Sequence, residues 1–212
     1  MSTVVDCLDA AARATGLPAA VRAVAAGQLV VLPTDTLYGI GADAFSRPAV
    51  AALLAAKGRG RDMPVPVLIG WWDTIDGLVA SVSPQLRELI EAFWPGALTI
   101  VVPHAPSLSW DLGDTGGTVA LRMPLHPVAL ELLQATGPMA VSSANRSGFE
   151  PAATATEARR QLGDSVSVYL DAGPVADPVA STIVDLSGPA PTVRRVGAVS
   201  VDALREVLPA LD

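Results

Sequence analysis

The chain has 212 residues, 50% hydrophobic but only 4% aromatic, so its core must be built mainly from Ala, Val, Leu and Ile. Fourteen basic residues against 21 acidic ones give a net charge of −7, which excludes the broad basic face of a non-specific nucleic-acid binder. The single cysteine, Cys7, excludes an intramolecular disulfide and a cysteine-rich metal site, and His104 and His126 lack the spacing of a ligand pair.

In chain order, Pro18 to Ala26 reads as a helix with proline near its start and Gly27 as its stop. Leu29 to Leu32 is a continuously apolar run, hence a buried strand, and Pro33-Thr34-Asp35-Thr36 ends it before a glycine-rich segment from Leu37 to Gly41. Ser46 caps a helix through Ala56 that leads into Lys57-Gly58-Arg59-Gly60-Arg61. Val65 to Ile69 is a strand that Pro64 and Pro66 place at an edge or give an irregular start. Ser83-Pro84 opens a helix ending near Phe93, and Trp94-Pro95-Gly96 turns the chain. Strands follow at Leu98 to Val102 and Val119 to Met123, a helix at Pro127 to Gln134, and a strand at Ala140 to Ser142. Thr154 and Glu157 have capping-box spacing for a helix to Leu162. Val166 to Leu170, Thr182 to Leu186 and Thr192 to Val196 are short strands, and Ser200 caps a last helix. Several strands succeed one another without a helix, so the expected fold is a single α/β domain with a mixed sheet and flanking helices.

Mean hydropathy is +0.43, yet no run of about 18 apolar residues is uninterrupted, since Pro33, Lys57 and Pro95 break the longest candidates. The N-terminus lacks the basic region and apolar run of a signal peptide, so the expectation is a cytoplasmic protein without a membrane partner.

Lys57 is the only lysine, and Arg59 and Arg61 lie within four residues of it. Three cations around two glycines suit a polyanion such as a triphosphate; they also suit a helix C-terminus whose dipole they offset. Gly39-Ile40-Gly41-Ala42-Asp43-Ala44 matches a G-x-G-x-x-A fingerprint, but Thr34-Asp35-Thr36 breaks the preceding strand and the next helix begins only near Ser46. These glycines therefore read as tight backbone packing. Pro33-Thr34-Asp35-Thr36-Leu37-Tyr38-Gly39 sets two hydroxyls and a carboxylate after a buried strand, as a ligand site or as a turn that satisfies its own backbone. Ser142-Ser143-Ala144-Asn145-Arg146-Ser147-Gly148 is either a nucleotide or amino-acid contact loop or an ordinary polar loop. Arg122 interrupts an apolar strand and needs an anionic partner: Asp171, Asp185 or a substrate carboxylate. His126 reads as a cap, and the four tryptophans as core or rim packing.

Taken together, the ordered set resembles the YrdC-like family in its short, TsaC-type form without an added C-terminal domain. It comprises Pro33 to Gly39, Lys57-Gly58-Arg59, Trp94 to Thr99, Ala120 to Pro124, Ser143 to Gly148, Ser181 to Asp185 and Arg194 to Gly197. The likeness runs from residue 16 to residue 200, leaving 1–15 as an N-terminal segment and 201–212 as a C-terminal helix and tail. The resemblance implies a twisted mixed sheet with a concave basic cavity. The implied activity is synthesis of threonylcarbamoyl-AMP from L-threonine, bicarbonate or CO2 and ATP, releasing pyrophosphate, as the first step of a tRNA adenosine modification. The alternative is a non-catalytic module that binds nucleotide or RNA.

By the same resemblance, Lys57 and Arg59 are the catalytic cations. With Arg61, Thr118, Asn145, Thr154 and Arg195 they would hold ATP, and Mg²⁺ would accompany the nucleotide. Thr36, Arg122, Ser143 and Ser181 would hold threonine, with Arg122 on its carboxylate. Met63 and Leu68 stand where many relatives carry Asn and His. The product would pass to a separate threonylcarbamoyl-transferring complex, with weak or no direct tRNA binding by this chain.

Overall fold

A computed structural model describes residues 2–211; Met1 and Asp212, the outer ends of the first and last expected segments, lie outside the described residues. The chain opens with β1 (Thr3–Asp6), and the Asp9 carboxylate accepts from the Ala12 amide to start α1 (Ala10–Ala25). Next come β2 (Val30–Leu32), β3 (Gly39–Asp43) and α2 (Arg47–Lys57), the last capped by Ser46 and closed by Gly58 in the left-handed conformation, φ 60°. The middle holds β4 (Val67–Leu68), α3 (Ile75–Leu78), α4 (Pro84–Phe93), β5 (Leu98–Pro103), β6 (Thr118–Arg122) and α5 (Pro127–Thr136). The last third holds β7 (Met139–Ser143), α6 (Ala155–Leu162), β8 (Val168–Asp171), β9 (Thr182–Asp185), β10 (Thr192–Arg195) and α7 (Val201–Val207).

The strands form one ten-stranded mixed sheet in the order β1-β8-β2-β3-β7-β4-β6-β5-β9-β10. Alternation along the strands separates two apolar layers. Val30 and Leu32 of β2 and Met139 and Val141 of β7 face α1 and α5, whereas Val31 and Ala140 face the larger core beneath α2, α4, α6 and α7. In the β6-β5-β9 part of the sheet, Leu121, Leu98, Ile100 and Val184 join that larger core. Their alternates, Thr118, Ala120 and Arg122 on β6, Thr99 and Val101 on β5 and Ile183 on β9, line an open cavity instead. That uncovered half-sheet is what positions the site.

Three local expectations are corrected. Helix α1 begins at Ala10, not Pro18: the proline taken as a start signal lies inside the helix, where it cannot donate to the preceding turn. Gly16 makes this helix's close approach to β1 workable, since a Cβ there would collide with the Val5 side chain. The glycine-rich segment after Leu37 becomes strand β3, paired antiparallel to both β2 and β7. Its glycines do serve packing, because a Cβ on Gly39 would lie 2.6 Å from Val141 Cγ1. Finally, β4 is an interior strand between β6 and β7 and not an edge, while the irregular start holds: Pro64 and Pro66 precede its two paired residues. No helix among the described residues is long and apolar enough to cross a membrane.

Candidate active site

The cavity has a volume of about 450 Å³ and opens over the uncovered half-sheet. Arg59, Arg122 and Arg195 line it together with Thr34, Thr36, Thr99 and Thr118, and among the described residues no carboxylate lines it. A chain of net charge −7 thus concentrates cations at one concave place, where low-dielectric walls strengthen their field.

Arg122, at the end of β6, is the most constrained of the three. Its Nε donates to Gly96 O at 2.9 Å, one terminal nitrogen to Thr36 Oγ1 at 2.7 Å and the other to Asp35 Oδ1 at 2.6 Å. Asp35 also accepts from the Leu125 amide. The anionic partner is therefore Asp35, not Asp171 or Asp185. Asp185 pairs instead with Arg194 at 2.7 Å, and Asp171 accepts from the Tyr38 hydroxyl and the Gly173 amide. Burial lowers the Arg122 pKa, and the Asp35 carboxylate offsets this only in part. Three of the five guanidinium N–H groups are occupied, which leaves two without a protein partner.

The loop after β2 satisfies itself and also serves the site. Thr34 Oγ1 donates to Leu37 O and accepts from the Thr36 and Leu37 amides, as a self-contained turn requires. Asp35 and Thr36 are thereby turned toward Arg122.

Arg59 spans the opposite wall, donating to Ser142 Oγ at 3.0 Å and Pro64 O at 3.2 Å, while its buried Nε has no partner. Arg195 donates to Ser181 O through both Nε and a terminal nitrogen, and the latter also reaches Ser181 Oγ. Ser181 Oγ in turn lies 2.8 Å from Thr99 Oγ1. Thr118 and Ser143 complete the set of expected residues that line the cavity.

Lys57 sits behind this wall. Its ammonium donates to Ser143 O, to Asn145 O at 2.7 Å and to Asn145 Oδ1 at 3.2 Å, so all three N–H groups are used within the Ser143-Ala144-Asn145 loop. Burial, with the Arg59 charge adding to it, pulls its pKa down to about 8. The Asn145 amide group donates to Arg146 O and Phe149 O, which closes the loop on itself.

The family model described as telomere recombination, Sua5/YciO/YrdC, matches residues 22–197. The chain belongs to the Sua5/YciO/YrdC family. A Mycobacterium tuberculosis protein named "Putative threonylcarbamoyl-AMP synthase" is 64% identical over 208 residues, 98% of this chain and 96% of that protein. A structure of Sua5 from P. abyssi carrying two alanine substitutions superposes on the whole chain with a TM-score of 0.94 at 28% identity. A second, complexed with L-threonine, gives a TM-score of 0.88 at 30% identity over 92% of this chain. This chain spans about 62% and 58% of those two Sua5 chains.

Besides Lys57 and Asn145, two more residues expected at the nucleotide of this Sua5/YciO/YrdC chain lie off the cavity wall. Arg61 points outward and pairs with Asp111 at 2.8 Å and Asp114 at 3.3 Å, which raises its already high pKa. Thr154 is the N-cap of α6, where its hydroxyl accepts from the Glu157 amide, and the Glu157 carboxylate accepts from the Ala153 amide. Of the two positions where the resemblance led to an expectation of Asn and His, Met63 is exposed and Leu68 lines the cavity. His126 caps α5, its Nδ1 accepting from the Val128 amide. Trp94 and Trp110 are buried in the core, whereas Trp71 and Trp72 are half-exposed at the rim of a surface groove. Ser142, the first residue of the candidate contact loop, lines the cavity, whereas sequence reasoning missed Thr99. The signal that exposed Arg122, a polar side chain interrupting an apolar strand, was also present at Thr99.

Proposed function

We propose that this chain is a threonylcarbamoyl-AMP synthase, a nucleotidyltransferase joining L-threonine, bicarbonate or CO2 and ATP with release of pyrophosphate. The observation that carries this reading is the cavity wall of three arginines and no carboxylate, built for a substrate with several negative charges. The names of its relatives and the L-threonine bound by P. abyssi Sua5 support the choice of substrates.

Threonine's amine adds CO2 to give a carbamate and releases a proton. A carbamate oxygen then attacks the α-phosphorus of ATP; the bond to the β-phosphate oxygen breaks and pyrophosphate leaves with that electron pair. No covalent enzyme intermediate is needed, so positioning and charge stabilisation supply the catalysis. The two unpartnered N–H groups of Arg122 suit the threonine carboxylate, flanked by Thr36, Ser143 and Ser181. Arg59, Thr118 and Arg195 take the nucleotide side, and the Arg59 charge suits a phosphate oxygen or the charge growing on pyrophosphate. Lys57 and Asn145 are positioning residues that hold the loop carrying Ser143. Thr154 acts as a helix cap, and Arg61 supports the outer rim.

Among the described residues no carboxylate lines the cavity, and no group of three or more His, Cys, Asp or Glu could hold a metal. The side chains present do not fit a protein-held Mg²⁺, which accordingly enters as part of MgATP. The product, a labile mixed anhydride, passes to a separate threonylcarbamoyl-transferring system in the cytoplasm, and the acidic exterior keeps direct tRNA binding weak.

The test is pyrophosphate release from MgATP with threonine and bicarbonate each omitted in turn, alongside Lys57→Ala and Arg122→Ala. Release that needs both co-substrates and falls in both variants supports the synthase. Release without threonine refutes the substrate assignment, and nucleotide or RNA binding with no release leaves a non-catalytic binding module.

A further inference from the structure

A second concavity, of about 440 Å³, lies between the turn before α3 and the flank of α4 and shares no lining residue with the arginine-lined cavity. Its floor is apolar, formed by Ile75, Val82 and Ile90, and the neighbouring indoles of Trp71 and Trp72 stand at its rim, 53% and 49% exposed. Other exposed aromatics of the fold have partners: Phe45 stacks on Trp110 at 5.7 Å, and the Arg146 guanidinium lies over Phe149 at 5.9 Å. Among the described residues, Trp71 and Trp72 have neither an aromatic nor a cationic partner.

Charge at the rim is one-sided. Asp73, Asp76 and Glu91 line it against the single cation Arg87, and among the described residues none of the four forms an ion pair. Two indole faces attract a cation, three unpaired carboxylates attract the same cation, and the floor takes an aliphatic side chain. Adjacent tryptophans over an apolar floor also match the composition of interface hot spots. Phosphate-bearing ligands are disfavoured by the same carboxylates.

We propose that this groove docks a segment of a partner protein that carries an arginine or lysine next to an apolar side chain. The cation lies over an indole within reach of Asp73, Asp76 or Glu91, and the apolar neighbour covers Ile75 and Ile90. This inference does not depend on the proposed activity, and its test reads no turnover.

The experiment follows the four indole N–H signals of the full-length protein by NMR during titration with a short blocked peptide alternating leucine and arginine. A counterpart peptide with glutamate in place of arginine is the control. The expected result is a saturable shift of the Trp71 and Trp72 signals, with those of Trp94 and Trp110 unmoved and no shift from the acidic peptide. The double reversal Asp76→Lys with Glu91→Lys should weaken binding at least about tenfold, and so should Trp72→Ala. No shift, equal shifts from both peptides, or unchanged affinity in the charge-reversed variant would overturn the proposal. Indole shifts that depend on protein concentration without peptide, with dimers in sedimentation, would also overturn it by showing a second copy in the groove.

Discussion

Asp35 and Arg122 form an ion pair at 2.6 Å although they are 87 residues apart, with side chains 16% and 7% exposed. The pair joins the loop after β2 to the end of β6 and fixes the guanidinium against the cavity. Removing only the carboxylate leaves a buried charge unpaired, a loss of about 3–5 kcal/mol in comparable sites. Asp35→Ala should lower the urea midpoint and raise the KM for threonine more than that for ATP. Asp35→Glu should restore part of both. An Asp35→Ala protein with unchanged stability and unchanged threonine KM would remove the pair from any role in the site.

Lys57 makes stability depend on pH in a definite direction. Its folded pKa is about 8 against an ordinary 10.5, so between these values the unfolded chain binds more protons and stability rises with pH. The cost of the buried ammonium is full below pH 8 and gone above 10.5. The Cys7 thiol, ordinarily at 9.0 and pushed up to about 11 by burial, acts in the opposite sense above pH 9. The readable window is therefore pH 8 to 9, where the native protein should gain about 1 kcal/mol relative to Lys57→Met. Parallel stability curves for the two proteins would show that Lys57 does not titrate there.

Arg59 and Arg61 lie two residues apart and should behave oppositely. Arg59 lines the cavity, whereas Arg61 is held outside by Asp111 and Asp114. Arg59→Ala should reduce kcat/KM for ATP about 10²–10³-fold, the scale of losing one donor to developing charge. Arg61→Ala should change it less than about threefold, because exposed pairs contribute little. Comparable losses in both variants would place Arg61 at the nucleotide after all.

These residues also show how far the sequence could be read. Caps such as Ser46, Ser83, Thr154 and Ser200 announce their helices because a short side-chain oxygen accepts from a nearby amide, which is a local event. The cavity's composition was legible at Arg122, since charge inside an apolar strand demands a partner. Which partner was not legible: Asp35 follows β2 and Arg122 ends β6, strands that β3, β7 and β4 separate in the sheet, so no local pattern links the two. Lys57 shows the same limit. Its sequence neighbours are cations that suit a phosphate, while its observed neighbours are loop carbonyls supplied by residues 143 and 145. Pro18 misled because proline is both a common first-turn residue and, less often, a tolerated interior one.

Gly197 places the final demand on the wall of the cavity. A Cβ there would collide with Ala180 O and lie 2.6 Å from the Ser181 carbonyl carbon, and these are backbone atoms that cannot swing aside. The close approach is held by Thr182 Oγ1, which accepts from the Gly197 and Val199 amides and donates to Val199 O. Arg195, two residues before, depends on the same approach to reach Ser181 O at 2.7 Å. Gly197→Ala must push this segment off residues 180 and 181, so overpacking should cost about 1–3 kcal/mol. The loss of activity should exceed what the folded fraction accounts for, because Arg195 and Ser181 separate while the remaining core is untouched. Thr182→Val removes the hydrogen bonds without adding bulk and should reproduce the activity loss in milder form. An active, fully stable Gly197→Ala protein would mean that the wall can shift without moving Arg195.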